Sequence, residues 1–263
     1  MFAALSVGAR PEFVAATSEN GFLPDYTILP EAVLNQTAIA YICSPANPQG
    51  AVATQKYWED LIALAEKYDF KIFADECYSE IYRKGPPKGA LEVSMAIGAD
   101  PERIMVFNSL SKRSNLPGLR SGFVAGGEKS IEKLKTMRAY SGAPLPLPLQ
   151  FAAEAVWRDE IHVQENRQLY SEKFDFANNI LGDISGLKIP EAGFFLWLPC
   201  GNGEEAAIKL WKEEGIRVLP GRYLSQDVHG VNPGHGYIRV ALVMDKMLTE
   251  KALLKVRSCL YSN

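Results

Sequence analysis

The chain has 263 residues, of which 47% are hydrophobic and 22% charged, with a net charge of −3 and a pI near 5.8. That length suits one large or two modest domains, and the composition is that of a soluble globular protein. The slight acidity gives no electrostatic reason to expect nucleic acid or an anionic membrane as a partner, and no stretch approaches the roughly 18 apolar residues of a membrane span.

Met1–Ala9 lacks the basic start of a signal peptide and leads into Glu12–Ala16, which reads as a short strand. A surface connection and a short helix near residues 30–35 follow. Residues 38–43 form an apolar run of strand length, ended by Ser44-Pro45-Ala46-Asn47-Pro48-Gln49-Gly50, where two prolines and a glycine stop regular structure. Thr54 then reads as an N-cap, with Trp58, Leu61, Ile62, Ala65 and Tyr68 behind it at helical spacing. Residues 70–74 are a second buried-strand run, closed by Asp75-Glu76-Cys77-Tyr78.

A less regular, helix-bearing segment containing Lys84-Gly85-Pro86-Pro87 leads to two further strands, Ile104–Phe107 and Phe123–Ala125, and a helix over 130–140. Alternating strands and helices of this kind predict an α/β fold, a mostly parallel sheet sandwiched by helices. Pro144–Pro148 reads as a hinge, followed by helices at 149–158 and 160–181. The remaining pattern is strand 187–190, strand 193–198, helix 204–214, strand 216–219, strand 236–243 and helix 245–260, a smaller α+β unit. The predicted division is therefore 1–148 for the large domain, 149–185 for a helical connection and 186–263 for the small domain. Cys43, Cys77, Cys200 and Cys259 form no C-x-x-C pair and read as reduced, buried thiols of a cytoplasmic protein.

Ligands of parallel sheets bind beyond the carboxyl ends of the strands. Asn47, Asp75–Tyr78 and Ser109–Lys112 each fall just after a strand, so all three can face one crevice. Lys112 leaves a buried strand, where desolvation and nearby cations favour a nucleophilic amine. Ser109, Ser111 and Arg120 can together hold a phosphate by charge-assisted hydrogen bonds. Taken singly, each feature has a plainer reading: a solubilising loop lysine, a strand-end turn at D-E-C-Y, a proline turn at N-P-Q-G. Arg239, inside the apolar run Tyr237–Leu242, is costly to bury unless paired, and a carboxylate partner is expected. No Walker A or G-x-G-x-x-G pattern occurs, and His162, His229 and His235 lack metal-ligand spacing.

The full run Ser109-Leu110-Ser111-Lys112-Arg113-Ser114-Asn115-Leu116-Pro117-Gly118-Leu119-Arg120-Ser121-Gly122 resembles the lysine signature of the class I/II aminotransferases, fold-type I enzymes that use pyridoxal 5′-phosphate (PLP). The resemblance implies that Lys112 forms the Schiff base with PLP and moves the α-proton, and that Ser109, Ser111 and Arg120 contact its phosphate. It implies further that Asp75 pairs with the pyridine nitrogen, and that Tyr78 and Asn47 meet the phenolic oxygen. Asn47 and Arg239 would then face the substrate carboxylate. Glu76 is the nearer rival for the role given to Asp75, though its side chain should project the other way. A homodimer acting on an amino acid and a 2-oxo acid is implied as well.

Residues 112–122, 218–224, 232–234 and 237–243 look like those of bacterial succinyldiaminopimelate aminotransferases of lysine biosynthesis, which implies N-succinyl-diaminopimelate with 2-oxoglutarate. Another PLP aminotransferase, a β-lyase of the same fold, or a non-catalytic fragment are the alternatives. The family's sequence begins with a further stretch bearing a phosphate-gripping Gly turn and a ring that stacks on the cofactor. Neither is visible before Met1-Phe2, so weak PLP binding is expected of this chain.

Overall fold

A computed structural model describes residues 1–262; Asn263, the end of the predicted small domain, lies outside the described residues. After α1 (Phe2–Ser6) the chain runs without helix or strand from residue 9 to 25, then forms α2 (Glu31–Leu34). A four-stranded sheet follows in spatial order β1 (Ile39–Cys43), β2 (Lys71–Asp75), β3 (Ile104–Ser109) and β4 (Gly122–Gly126), the first three parallel and β4 antiparallel to β3. Register pairs Cys43 with Asp75 and Asp75 with Phe107, so the turns leaving the three parallel strands begin side by side.

The helix α3 (Gln55–Tyr68) forms where its cap and stripe require it. The Thr54 hydroxyl accepts from the Tyr57 N–H, Trp58, Leu61, Ile62 and Ala65 are buried, and Asp69 ends the helix in a left-handed conformation. With α4 (Ala90–Ile97) it covers Ala40, Ile42, Ile72, Ala74, Ile104 and Val106 on one sheet face. The short α5 (Leu110–Arg113) carries Lys112, and α6 (Glu128–Tyr140) meets β4. Then come α7 (Leu147–Arg158) and α8 (Ile161–Leu181). A second, antiparallel sheet has the order β5 (Phe195–Pro199), β7 (Tyr237–Ala241), β6 (Leu219–Pro220), with α9 (Gly203–Glu214) and α10 (Lys246–Tyr261). Leu196, Leu198 and Ile238 of that sheet share a core with Phe174, Leu210, Leu253 and Val256.

The α/β class and most elements match the sequence expectation; several details do not. Residues 12–16 form no strand, because no neighbouring strand offers them a ladder; Phe13–Ala16 line a cavity of about 150 Å³ beside Pro48, Gln49 and Trp197. Residues 187–190 form none either. Pro190 has no N–H to give, and the backbone just beyond pairs instead with residues 81–83, through Arg83 N to Glu191 O and Gly193 N to Ile81 O. The run 216–219 shrinks to the two residues of β6. Pro148 is no linker residue: it sits in the first turn of α7, where its missing N–H costs nothing. Helical cover of the large sheet is uneven, since Ile39 and Tyr41 on the second face are exposed. The four cysteines are free but only partly buried. No helix of the described residues is long and apolar enough to cross a membrane.

Candidate active site

Two strand-end turns and one strand of the second sheet meet in a single polar chain, and the third turn brings Lys112 over the same rings. Arg239 Nη1 on β7 donates to Asn47 Oδ1 at 2.9 Å, and Asn47 Nδ2 donates to Tyr78 Oη at 3.3 Å. Residues 47, 78 and 239 are far apart in sequence, so this link exists only because the two sheets face each other here. Tyr78 lies in an aromatic group with Phe194, Phe195 and Tyr170, its ring 5.6 Å from Phe194 and 5.9 Å from Phe195. Burial, the neighbouring thiol of Cys43 and the charge of Asp75 push the Tyr78 phenol up to about 12, so it is a neutral donor at physiological pH. Lys112 Nζ lies over these same rings, 5.9 Å from the centroid of Tyr78 and 5.4 Å from that of Phe194.

Arg239 departs from expectation in an informative way. Among the described residues it makes no ion pair; its guanidinium lies 4.3 Å from the Phe195 ring centroid and binds only the neutral Asn47 amide. The expected carboxylate partner is therefore not supplied by the chain. Desolvation lowers its pKa, but an arginine stays charged under any ordinary condition. A half-buried cation without an anion fits a site whose ligand brings the anion.

Asp75 ends β2 exposed and accepts from the Cys77 N–H at 3.0 Å, while the side chain of Glu76 goes the other way and accepts from the Ala90 N–H at 2.8 Å. The rival carboxylate thus serves the start of α4. Cys43 and Cys77 flank Asp75; burial and that charge push the Cys43 thiol up to about 12 and raise Cys77 too, so both stay protonated.

At the end of β3 the Ser109 hydroxyl caps α5, accepting from Ser111 N at 3.1 Å, and lies 2.9 Å from Ser111 Oγ. It also reaches the Ser121 carbonyl at 3.1 Å. Gly122 faces Ser109 across the ladder, where a Cβ would sit 2.4 Å from the Asn108 carbonyl oxygen. Arg120 is adjacent in sequence but not assembled with the two hydroxyls. It is exposed, left-handed at φ 58°, and donates to Pro117 O at 2.7 Å.

Sequence reasoning missed the aromatic bed under Lys112. Phe194 and Phe195 read as strand residues, and only their adjacency to Gly193 hinted at a bend that turns both rings toward Tyr78.

The donor set fits PLP in kind: one amine, one carboxylate, a neutral phenol with its amide, and two paired hydroxyls, with Arg120 turned away from them toward Pro117. Residues 3–256 match the model of the family described as aminotransferase class I and II. An LL-diaminopimelate aminotransferase of Halothermothrix orenii is 31% identical over 97% of this chain and 64% of its own length. The solved aminotransferase of Neisseria meningitidis has a TM-score of 0.94 at 40% identity, covering 98% of this chain and 66% of that one. A probable N-succinyldiaminopimelate aminotransferase of Thermus thermophilus has a TM-score of 0.85 at 28% identity, over 98% and 68%. The chain thus spans about 64% of the length of the curated relatives it matches.

Proposed function

This chain belongs to aminotransferase class I and II, a PLP-dependent family, and we propose that it carries the cofactor and substrate-carboxylate site of an aminotransferase acting between an amino acid and a 2-oxo acid. The observation that carries the proposal is the link from Arg239 through Asn47 to Tyr78, closing over the amine of Lys112. Asp75 would hold the pyridine N–H, Tyr78 and Asn47 the phenolic oxygen, and Ser109, Ser111 and Arg120 the phosphate. Bound PLP supplies an aldehyde carbon and an electron-withdrawing ring, the chemistry that side chains lack.

The chain's own groups orient and move protons. Lys112 Nζ takes the proton from the substrate Cα, a task suited to an amine held over aromatic faces. Tyr78 Oη donates and cannot itself ionise near neutral pH. Arg239 takes the substrate carboxylate as a two-pronged donor, which sets the Cα–H direction relative to Lys112. Asn47 holds Tyr78 and Arg239 in one frame, so a change there disturbs both.

The amino donor in this reading is diaminopimelate-like, N-succinyl-diaminopimelate first, with 2-oxoglutarate as acceptor. Support comes from the 112–122 and 218–243 resemblance and from relatives named for LL-diaminopimelate and N-succinyldiaminopimelate. The same reading includes the division at about residues 148 and 185, a homodimer, and residence in the cytoplasm. Cofactor binding by this chain is weak in this reading, because Arg120 must leave Pro117 before it can join Ser109 and Ser111.

Incubation with PLP, borohydride reduction and peptide mapping is the test. Labelling should concentrate on Lys112, rise with PLP concentration without reaching one per chain at low excess, and vanish in Lys112→Ala. Labelling spread over exposed lysines would overturn the assignment. A panel of N-succinyl-diaminopimelate, LL-diaminopimelate and aspartate as amino donors then tests the substrate.

A further inference from the structure

Three consecutive residues after Lys112 fasten its turn to the corner between α7 and α8. Arg113 is only 4% exposed. Its Nη1 donates to Val156 O at 3.2 Å and to Ser114 Oγ at 3.4 Å, its Nη2 donates to Trp157 O at 3.4 Å and to the Glu160 carboxylate, and its guanidinium lies 5.1 Å from the Trp157 ring centroid. Ser114 Oγ meets His162 Nε2 at 2.8 Å, and His162 Nδ1 in turn meets Asp159 at 3.0 Å. Asn115 Nδ2 donates to Asn166 Oδ1 at 2.7 Å.

Val156 and Trp157 lie in the last turn of α7, where Val156 O already takes the N–H of the cap residue Asp159 at 3.3 Å and the helix dipole favours a cation. Arg113 therefore completes that helix end while its own charge is neutralised by Glu160. The question is why so elaborate an anchor sits at this position. The helix α5 has 4 residues, too few to hold a direction by its own hydrogen bonds. Something outside it must decide where Lys112 points. Successive helical side chains diverge by roughly 100°, as 3.6 residues per turn requires. With Arg113 locked into the α7 end, Lys112 is turned toward Tyr78 and Phe194.

We propose that Arg113 is a positioning residue for Lys112: by seating α5 on the α7–α8 corner, it fixes the direction of the reacting amine. This rests on the reading of Lys112 as that amine. The effect is on geometry and environment; Arg113 itself touches neither substrate nor cofactor.

Three variants and three readouts test it. Arg113→Gln removes the charge and the fork, Arg113→Lys keeps the charge alone, and Glu160→Gln, at an exposed carboxylate, weakens one contact. The readouts are the acetylation profile of Lys112 against the exposed lysines at one pH, which reports accessibility and needs no cofactor, PLP labelling at Lys112, and the thermal melt. Arg113→Gln should cut PLP labelling at Lys112 about tenfold, inside the loss that an ångström of misplacement brings. Its Lys112 should be acetylated as fast as the exposed Lys133. Arg113→Lys should recover part of both, and Glu160→Gln should lose about threefold, because a neutral amide keeps a weaker bond. A lowered melt with an unchanged Lys112 profile would overturn the proposal. If Arg113→Gln does not fold, the other two variants decide by the same measures. If PLP marks another lysine in the unmodified chain, the functional reading fails, and the acetylation profile alone then decides the role of Arg113.

Discussion

The two faces of the four-stranded sheet are built differently, although the strands supply apolar residues to both. Ala40, Ile42, Ile72, Ala74, Ile104 and Val106 face α3 and α4 and are buried, small or branched aliphatics that a helix can approach closely. The opposite face carries Ile39, Tyr41, Phe73 and Phe107. Tyr41 is 64% exposed there, and the three rings contact one another at 5.4 and 5.3 Å between centroids. Alternation along each strand sends successive residues to opposite sides, so the difference continues to the carboxyl ends. Asp75 falls on the aromatic side and is exposed; Glu76 falls on the covered side and binds the start of α4. One step of alternation separates the exposed carboxylate from the one consumed by the fold.

Emptying neighbouring positions on the two faces should give the largest difference between them. Ile72→Ala removes a fully buried side chain between α3 and β3 and should cost about 2–5 kcal/mol. Phe73→Ala removes a larger side chain, but one that is half-buried and held mainly by two ring contacts. It should cost about 1–2 kcal/mol. Urea unfolding of both variants measures this; equal costs would mean that the aromatic face is as well packed as the other.

Glu76 sharpens the comparison through pH. Burial foremost, with the charges of Glu92 and Asp75, pushes its carboxyl up to about 7 against the pull of the Ala90 N–H. At low pH the group is protonated whether the chain is folded or not and has no effect. As pH rises the unfolded chain gives up the proton first, while the folded chain keeps it to about 7. The folded state binds more protons in that window, so stability falls as pH rises through it. Glu76→Gln keeps an oxygen for Ala90 and never ionises. Between about pH 5 and about pH 8 the native chain should lose roughly 1–3 kcal/mol relative to this variant. A difference that does not change with pH would show that Glu76 is not desolvated.

Much of the large sheet was legible because it is local. Thr54 as a cap, the stripe from Trp58 to Ala65, and the three strand ends each follow from residues within a few positions of one another. What was not legible depends on partners distant in the chain. Glu12–Ala16 has a strand's composition but no strand beside it. Arg239 called for an anion, and only the facing of the two sheets reveals that Asn47 is its polar partner among the described residues. Arg120 could be placed next to Ser121 by sequence, yet the direction of its side chain depends on a left-handed backbone that spacing does not announce. The unequal faces were hidden for a similar reason: an apolar strand residue records the capacity to be covered, and covering is a property of the neighbours.

The smallest effect is expected at the most exposed ring of the aromatic face. Tyr41→Ser removes one edge contact with Phe73, worth about 0.5–1.5 kcal/mol where such pairs are buried and less where they are wet. The bonds Tyr41 makes to the rest of the fold come from its backbone, in the ladder with β2 and through its carbonyl, which accepts from Tyr26 Oη at 2.5 Å, and they survive the change. The serine also exchanges an exposed ring for a hydroxyl, which offsets part of the lost contact, so the urea midpoint should correspond to a change below about 1 kcal/mol with an unchanged slope. A loss near that of Ile72→Ala would require Tyr41 to be covered in solution, and the contrast between the two faces would then not hold.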